Sequence, residues 1–124
     1  MTINDKNYDK IKDYAVKYRQ AVNELLENDV AKLKDKSISP ELNKFWDEFE
    51  DKFNNVKSGK KDNQIFNLYV ALNDGRSVVI TKMDTIEPWF VKISGVNCEN
   101  GENTLEIINS RSKEPEIVLE LIDL

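Results

Sequence analysis

Residues 64–83 read QIFNLYVALNDGRSVVITKM, and this stretch decides the fold. Its apolar side chains recur at every second position: Phe66, Leu68 and Val70, then Val78 and Ile80. A period of two marks extended chain with one face turned inward. Asn73-Asp74-Gly75 interrupts the run. An Asp-Gly step readily takes the positive φ angles of a tight reversal, so the two halves read as the arms of a β-hairpin.

The same period continues toward the C-terminus. Strands are expected over 64–72, 76–83, 89–96, 104–108 and 116–123. Asn100-Gly101 offers a second tight turn. Pro88 and Pro115 stand at strand starts, where a missing N–H does little harm. Consecutive strands joined by short turns give a five-stranded antiparallel meander. Alternation assigns Val78, Ile80, Val91, Ile93, Leu105 and Ile107 to the core face with Phe66, Leu68 and Val70. The opposite face still carries Ile65, Tyr69, Val79, Met83, Phe90, Val96, Ile108, Val118 and Ile122. A second apolar face does not stay bare. The sheet curls into a small barrel, or a partner covers that face, or the helices cover both.

Toward the N-terminus the period changes to that of a helix. Tyr8, Ile11, Ala15, Tyr18, Val22 and Leu25 recur at intervals of three and four. The stripe then slips by one residue to Leu26, Val30 and Leu33. A coiled coil keeps its phase for several heptads, so this slip favours a helix packed on its own domain. The helix is expected over 5–34 with a bend near Asn28-Asp29, both poor helix formers. A second helix over 40–57 begins at Ser39-Pro40-Glu41. The serine hydroxyl can accept an orphan N–H, proline loses nothing at the first position, and the glutamate meets the positive end of the dipole. Its stripe is Leu42, Phe45, Trp46, Phe49, Phe53 and Val56, all on one face. Gly59 suits its end.

These elements give an α+β protein: an N-terminal two-helix segment packed on a C-terminal five-stranded antiparallel sheet. Helices followed by strands, not alternating with them, point to α+β and away from a parallel sheet. The 124 residues read as a single domain, 1–124, with helices over 1–59 and the sheet over 64–124. Leu72-Asn73-Asp74-Gly75-Arg76 and the final strand from Ile117 to Ile122 resemble the first and last strands of Sm-like or SH3-like small barrels. Where Sm proteins carry a second-strand glycine, this chain has Val78-Val79-Ile80. The resemblance implies a curl in the sheet and nothing about activity.

Composition narrows the function. The formal charge is −5, and residues 1–62 contribute 13 basic and 13 acidic groups, so all of the excess acidity lies in the second half. A nucleic-acid binder ordinarily carries a basic footprint, and this charge favours a basic protein partner instead. There is no histidine and one cysteine, Cys98, which excludes a disulfide within the chain, a histidine-based catalytic triad and a thiolate zinc cage. No phosphate-binding glycine loop occurs. Asp47, Glu48, Glu50 and Asp51 lie on the polar side of the second helix, where carboxylates are ordinarily just solvated. The expectation is no catalytic residue, no metal and no cofactor. The opening residues lack an apolar signal segment, and nothing is long enough to span a membrane, so a cytoplasmic location is expected.

The leading functional expectation is a non-enzymatic protein-binding module, of the inhibitor, immunity or regulatory kind, acting through its sheet half, with self-association also open to it. Trp89, Phe90, Val118, Glu120 and Ile122 are the candidate contact residues. Trp89, after Pro88 and on the face of Val91 and Ile93, reads as either core or an interface anchor; Phe90 lies on the second face, and the last three form an apolar and acidic strip there. The competing expectation is a small nucleic-acid-associated barrel using Lys57, Lys60, Lys61, Arg76 and Lys82.

Overall fold

The computed structural model describes residues 5–124, with side chains from Tyr8 onward. Some of the stretch read for a secretion signal therefore lies outside the described residues. The first helical run comprises α1 (Asp5–Lys17), α2 (Arg19–Glu24), a π-helical turn (Leu25–Asp29) and α3 (Val30–Lys36). The π turn begins where the apolar stripe slips. It adds one residue to the helical winding, so Leu25 and Leu26 are both buried and Val30 and Leu33 then continue inward. The one-residue slip in sequence and the one-residue bulge in structure are the same event.

α4 (Pro40–Ser58) starts as its sequence dictates. Ser39 is extended at φ −71°, ψ 145°, its hydroxyl accepts the Leu42 N–H at 3.3 Å, and Pro40 takes the first position. Leu42, Trp46, Phe49 and Phe53 are buried and Phe45 is half-buried. The rings meet edge to face, with Phe45 and Trp46 centroids 5.0 Å apart and Trp46 and Phe49 6.0 Å apart. Each large side chain enclosed in this way contributes roughly 2 kcal/mol of gross driving force.

The sheet contains β1 (Gln64–Ala71), β2 (Ser77–Ile86), β3 (Phe90–Asn97), β4 (Asn103–Asn109) and β5 (Ile117–Asp123). All neighbours are antiparallel, in the order β4-β3-β2-β1-β5. The meander runs through the first four strands. β5 then crosses to the far side and pairs with β1 from Gln64–Asp123 to Val70–Ile117. The sheet does not close into a barrel, because β4 and β5 form its two edges.

Helices reach both faces, which is how the second apolar set is hidden. Phe53 of α4 packs on Phe66, 5.3 Å between centroids, on the face shared with Leu68 and Val70. α1 lies on the other face, where Ala15 packs with Ile65 and Ile122. Every residue of β1 from Ile65 to Val70 is consequently buried.

Two features of β2, β3 and β4 depart from simple alternation. Pairing passes from Ile80 opposite Gly95 to Lys82 opposite Ser94, so Thr81 is an extra residue in a β-bulge. The bulge brings Met83 round to the face of Ile80, opposite Ile93, instead of the second face expected for it. Gly95 allows the strands to meet there. A Cβ at this position would lie 2.0 Å from the Val79 carbonyl oxygen. The second departure is in β4. Ile108 pairs with Val91 and is buried, whereas Leu105 and Ile107 pair with Ser94 and Lys92 and face out. The expectation that Leu105 and Ile107 belong to the core is therefore corrected.

Candidate protein-binding surface

Residues directly opposite on paired strands share a face. Lys82, Ser94 and Leu105 thus form one row across β2, β3 and β4; Asp84, Lys92 and Ile107 form the next; Ile86, Phe90 and Asn109 the third. This patch continues the face that α1 covers at the β1–β5 end, but among the described residues no helix shields its β4 end. Leu105 and Ile107 are each 56% exposed. Ile86 is partly exposed and Phe90 half-buried beside them.

The main chain of β4 is open on the same side. The Asn97 N–H donates to the Glu102 carbonyl at 2.9 Å, and the Ser110 N–H donates to the Trp89 carbonyl at 2.8 Å. Antiparallel pairing alternates, so even-numbered positions of β4 turn their main-chain groups toward β3 and odd-numbered positions turn theirs outward. Leu105 and Ile107 therefore offer both side chain and main chain to a neighbour. Proteins ordinarily blunt such an edge with lysine, proline or a covering loop. β4, Asn-Thr-Leu-Glu-Ile-Ile-Asn, has neither lysine nor proline. On its inner face Glu106 is held by Arg76 at 2.7 Å and accepts from the Thr104 hydroxyl at 3.2 Å.

The sequence-derived contact residues separate into three places. Phe90 joins the open patch. Trp89 points to the other side of the sheet end, where the Arg111 guanidinium stacks 3.8 Å from its ring centroid. Val118, Glu120 and Ile122 share the face of Phe90 but lie at the opposite edge of the sheet, beneath α1. Glu120 accepts hydrogen bonds from the Tyr8 hydroxyl and from Asn67 Nδ2, the latter at 3.0 Å. Burial, then Glu120, pushes the Tyr8 phenol well above its ordinary range. Ile122 is only 4% exposed. Contacts within the chain occupy this strip, so it is not an open surface in this structure.

A groove of about 730 Å³ lies between α4 and the β4–β5 connection. Phe45, Phe49, Ile108 and Ile117 supply apolar walls, and Lys44, Lys52, Arg111 and Lys113 alternate with Glu41, Glu48 and Glu116 at the rim. The rim thus mixes four cations with three carboxylates. The Ser110 hydroxyl is buried there without a partner among the described residues.

The remaining chemistry-bearing groups are engaged or dispersed. Lys57 pairs with Glu27 at 2.9 Å, and Arg76 pairs with Asp74 at 2.8 Å besides Glu106. Lys60 and Lys61 precede β1, whereas Arg76 follows it, so the cations named for nucleic acid lie at opposite ends of a strand about 26 Å long. Asp47 and Glu50 of the acidic helix face both reach Lys34, at 2.8 and 3.2 Å. No group of carboxylates, cysteines or histidines suited to a metal ion occurs among the described residues. Cys98 is buried, and burial pushes its thiol up to about 11, which suppresses the nucleophilic thiolate. No helix among them is long and apolar enough to cross a membrane.

No protein-family model, no curated protein and no solved structure matches this chain. Sequence reasoning missed Leu105 and Ile107 as surface residues. The one local signal is the Ile107-Ile108 doublet, which makes both parities of β4 apolar and leaves its inward face undecided.

Proposed function

We propose that the chain is a non-enzymatic protein-binding module, of the inhibitor, immunity or regulatory kind, that acts through the β4 edge of its sheet. One observation carries the reading: Leu105 and Ile107 expose apolar side chains and unpaired main-chain groups at the same two positions. Main-chain pairing supplies affinity in strand addition, and alternate side chains supply selectivity. The buried, high-pKa thiol and the absence of histidine support the non-enzymatic aspect of the reading.

Panning a random peptide library against the protein tests it. Enriched peptides should carry apolar residues at alternate positions. They should lose at least about tenfold in affinity toward Leu105→Lys and Ile107→Lys, since anchor residues at interface centres cost more than about 1.4 kcal/mol when removed. Peptides that bind both variants as well as the parent would place the contact elsewhere and refute the reading.

A further inference from the structure

We infer that the partner of the β4 edge is a second copy of the chain, joined by antiparallel β4–β4 pairing centred on Glu106. This rests on the proposal that β4 is the contact edge, and the strand's own sequence carries it further. Asn103-Thr104-Leu105-Glu106-Ile107-Ile108-Asn109 is nearly symmetric about its middle. Laid antiparallel on itself with Glu106 at the centre, Leu105 stands opposite Ile107 of the second copy, and Ile107 opposite Leu105 of the second copy. Thr104 meets Ile108, and asparagine meets asparagine at both ends.

The pairing parity agrees with the side-chain match. Leu105 and Ile107 are the positions whose N–H and C=O turn outward. In this register each exchanges its main-chain hydrogen bonds with the other residue of the second copy. Their four apolar side chains come together on the open face, between the Lys92 and Ser94 rows of the two sheets. The contact is isologous and closes on two copies, so it does not propagate into a filament.

One unfavourable contact is built in, and it makes the register testable. Glu106 of each copy stands opposite the same residue of the other, on the inner face. Arg76 lies 2.7 Å from Glu106 within each copy and offsets some of that repulsion. A centre shifted to Leu105 or Ile107 would separate the two carboxylates but would leave one of the two apolar residues facing an asparagine.

Sedimentation velocity from micromolar to near-millimolar protein tests the proposal, on the parent, Ile107→Lys, Leu105→Lys and Glu106→Gln. Both lysine variants alter exposed side chains, and an unchanged urea midpoint certifies their fold. The parent should dimerise with rising concentration, and either lysine should weaken the dimer at least about tenfold. Glu106→Gln should tighten it about two- to fivefold, the value of relieving one like-charge cross-strand pair. A parent that stays monomeric, a dimer indifferent to both lysines, or one weakened by Glu106→Gln overturns the proposal. A monomer that still selects β4-dependent peptides removes the second copy and leaves the protein-binding reading standing. A β4-dependent dimer that selects no peptide supports the second copy as the partner.

Discussion

Replacing Gly95 by alanine places a methyl group where the β2 backbone already is. Its Cβ would stand 2.0 Å from the Val79 carbonyl oxygen and 2.9 Å from both the Val79 carbonyl carbon and Val78 Cγ1. Two of these three atoms are main chain. No rotamer change relieves the clash, and β2 and β3 must separate at the bulge. Overpacking a core ordinarily costs about 1–3 kcal/mol, and a clash against backbone belongs at the upper end. With a urea m value of about 1.5 kcal/mol/M, a loss of about 3 kcal/mol lowers the midpoint by about 2 M. Gly75→Ala is the control. Gly75 has φ +93° in the β1–β2 turn, and a Cβ there meets nothing within 4 Å. It carries conformational strain alone, about 1–2 kcal/mol. Urea unfolding of the two variants side by side gives the answer. If Gly95→Ala shifts the midpoint no more than Gly75→Ala does, the close approach of β2 and β3 is not as described.

Three further outcomes follow from the packing. Deleting Asn28, an exposed residue of the π turn, removes the extra residue and lets α2 run into α3 as one regular α-helix. Val30 and Leu33 then follow Leu25 at intervals of four and three on the same buried face, so the deletion should leave the urea midpoint close to that of Asn28→Ala; a midpoint lower by several tenths of a molar or more would refute the π turn as the device that absorbs the slip. Ile122→Asp puts a carboxylate between Ala15 and Ile65 and should cost several kcal/mol; a variant that melts like the parent would show the α1 face to be open after all. Glu87 accepts the Ile38 and Ser39 N–H groups at 3.0 Å each, and the Ile38 bond above all holds its carboxyl below the ordinary range. A depressed carboxylate stabilises above its unfolded pKa and loses that contribution as pH falls through its folded value. The protection factor of the Ile38 amide, its exchange rate relative to the intrinsic rate at the same pH, should therefore stay high near neutrality and fall in acid as Glu87 protonates below the ordinary glutamate range, with Glu87→Gln abolishing the step; a protection profile identical in the variant would disprove the link.

Local chemistry made much of this fold legible. Ser39-Pro40-Glu41 and the stripe from Leu42 to Phe53 specify α4 because capping and helical period act within a few residues. The slip between Leu25 and Leu26 was visible as a break in phase, although a π turn is one of several ways to absorb it. Asp74-Gly75 specified the first hairpin. Features that depend on distant partners were not legible. The bulge at Thr81 shows itself only against β3, where pairing passes from Ile80–Gly95 to Lys82–Ser94. Ile108 turns inward because Val91 is its neighbour, and Leu105 and Ile107 turn outward as a result. The strip at Val118, Glu120 and Ile122 looked open because nothing in β5 announces that α1, more than a hundred residues earlier, lies over it. Phe90 lies on the open face, whereas the exposed pair beside it, Leu105 and Ile107, reads from alternation alone as core.

β5 reaches β1 through an exposed connection, Arg111 to Glu114, and thereafter holds its place by pairing and packing alone. Cleavage after Lys113 would turn the molecule into a receptor, residues up to 113, and its ligand, the segment 114–124. The slot has a main-chain template in β1, a carboxylate reader in Tyr8 and Asn67, and apolar sockets for Leu119 and Ile122. Two separately made fragments cut at that point should reassemble on mixing, and foreign strands of similar pattern should compete for the slot. The fold thus already contains, covalently tethered, one recognition event of the kind its opposite edge leaves unfilled.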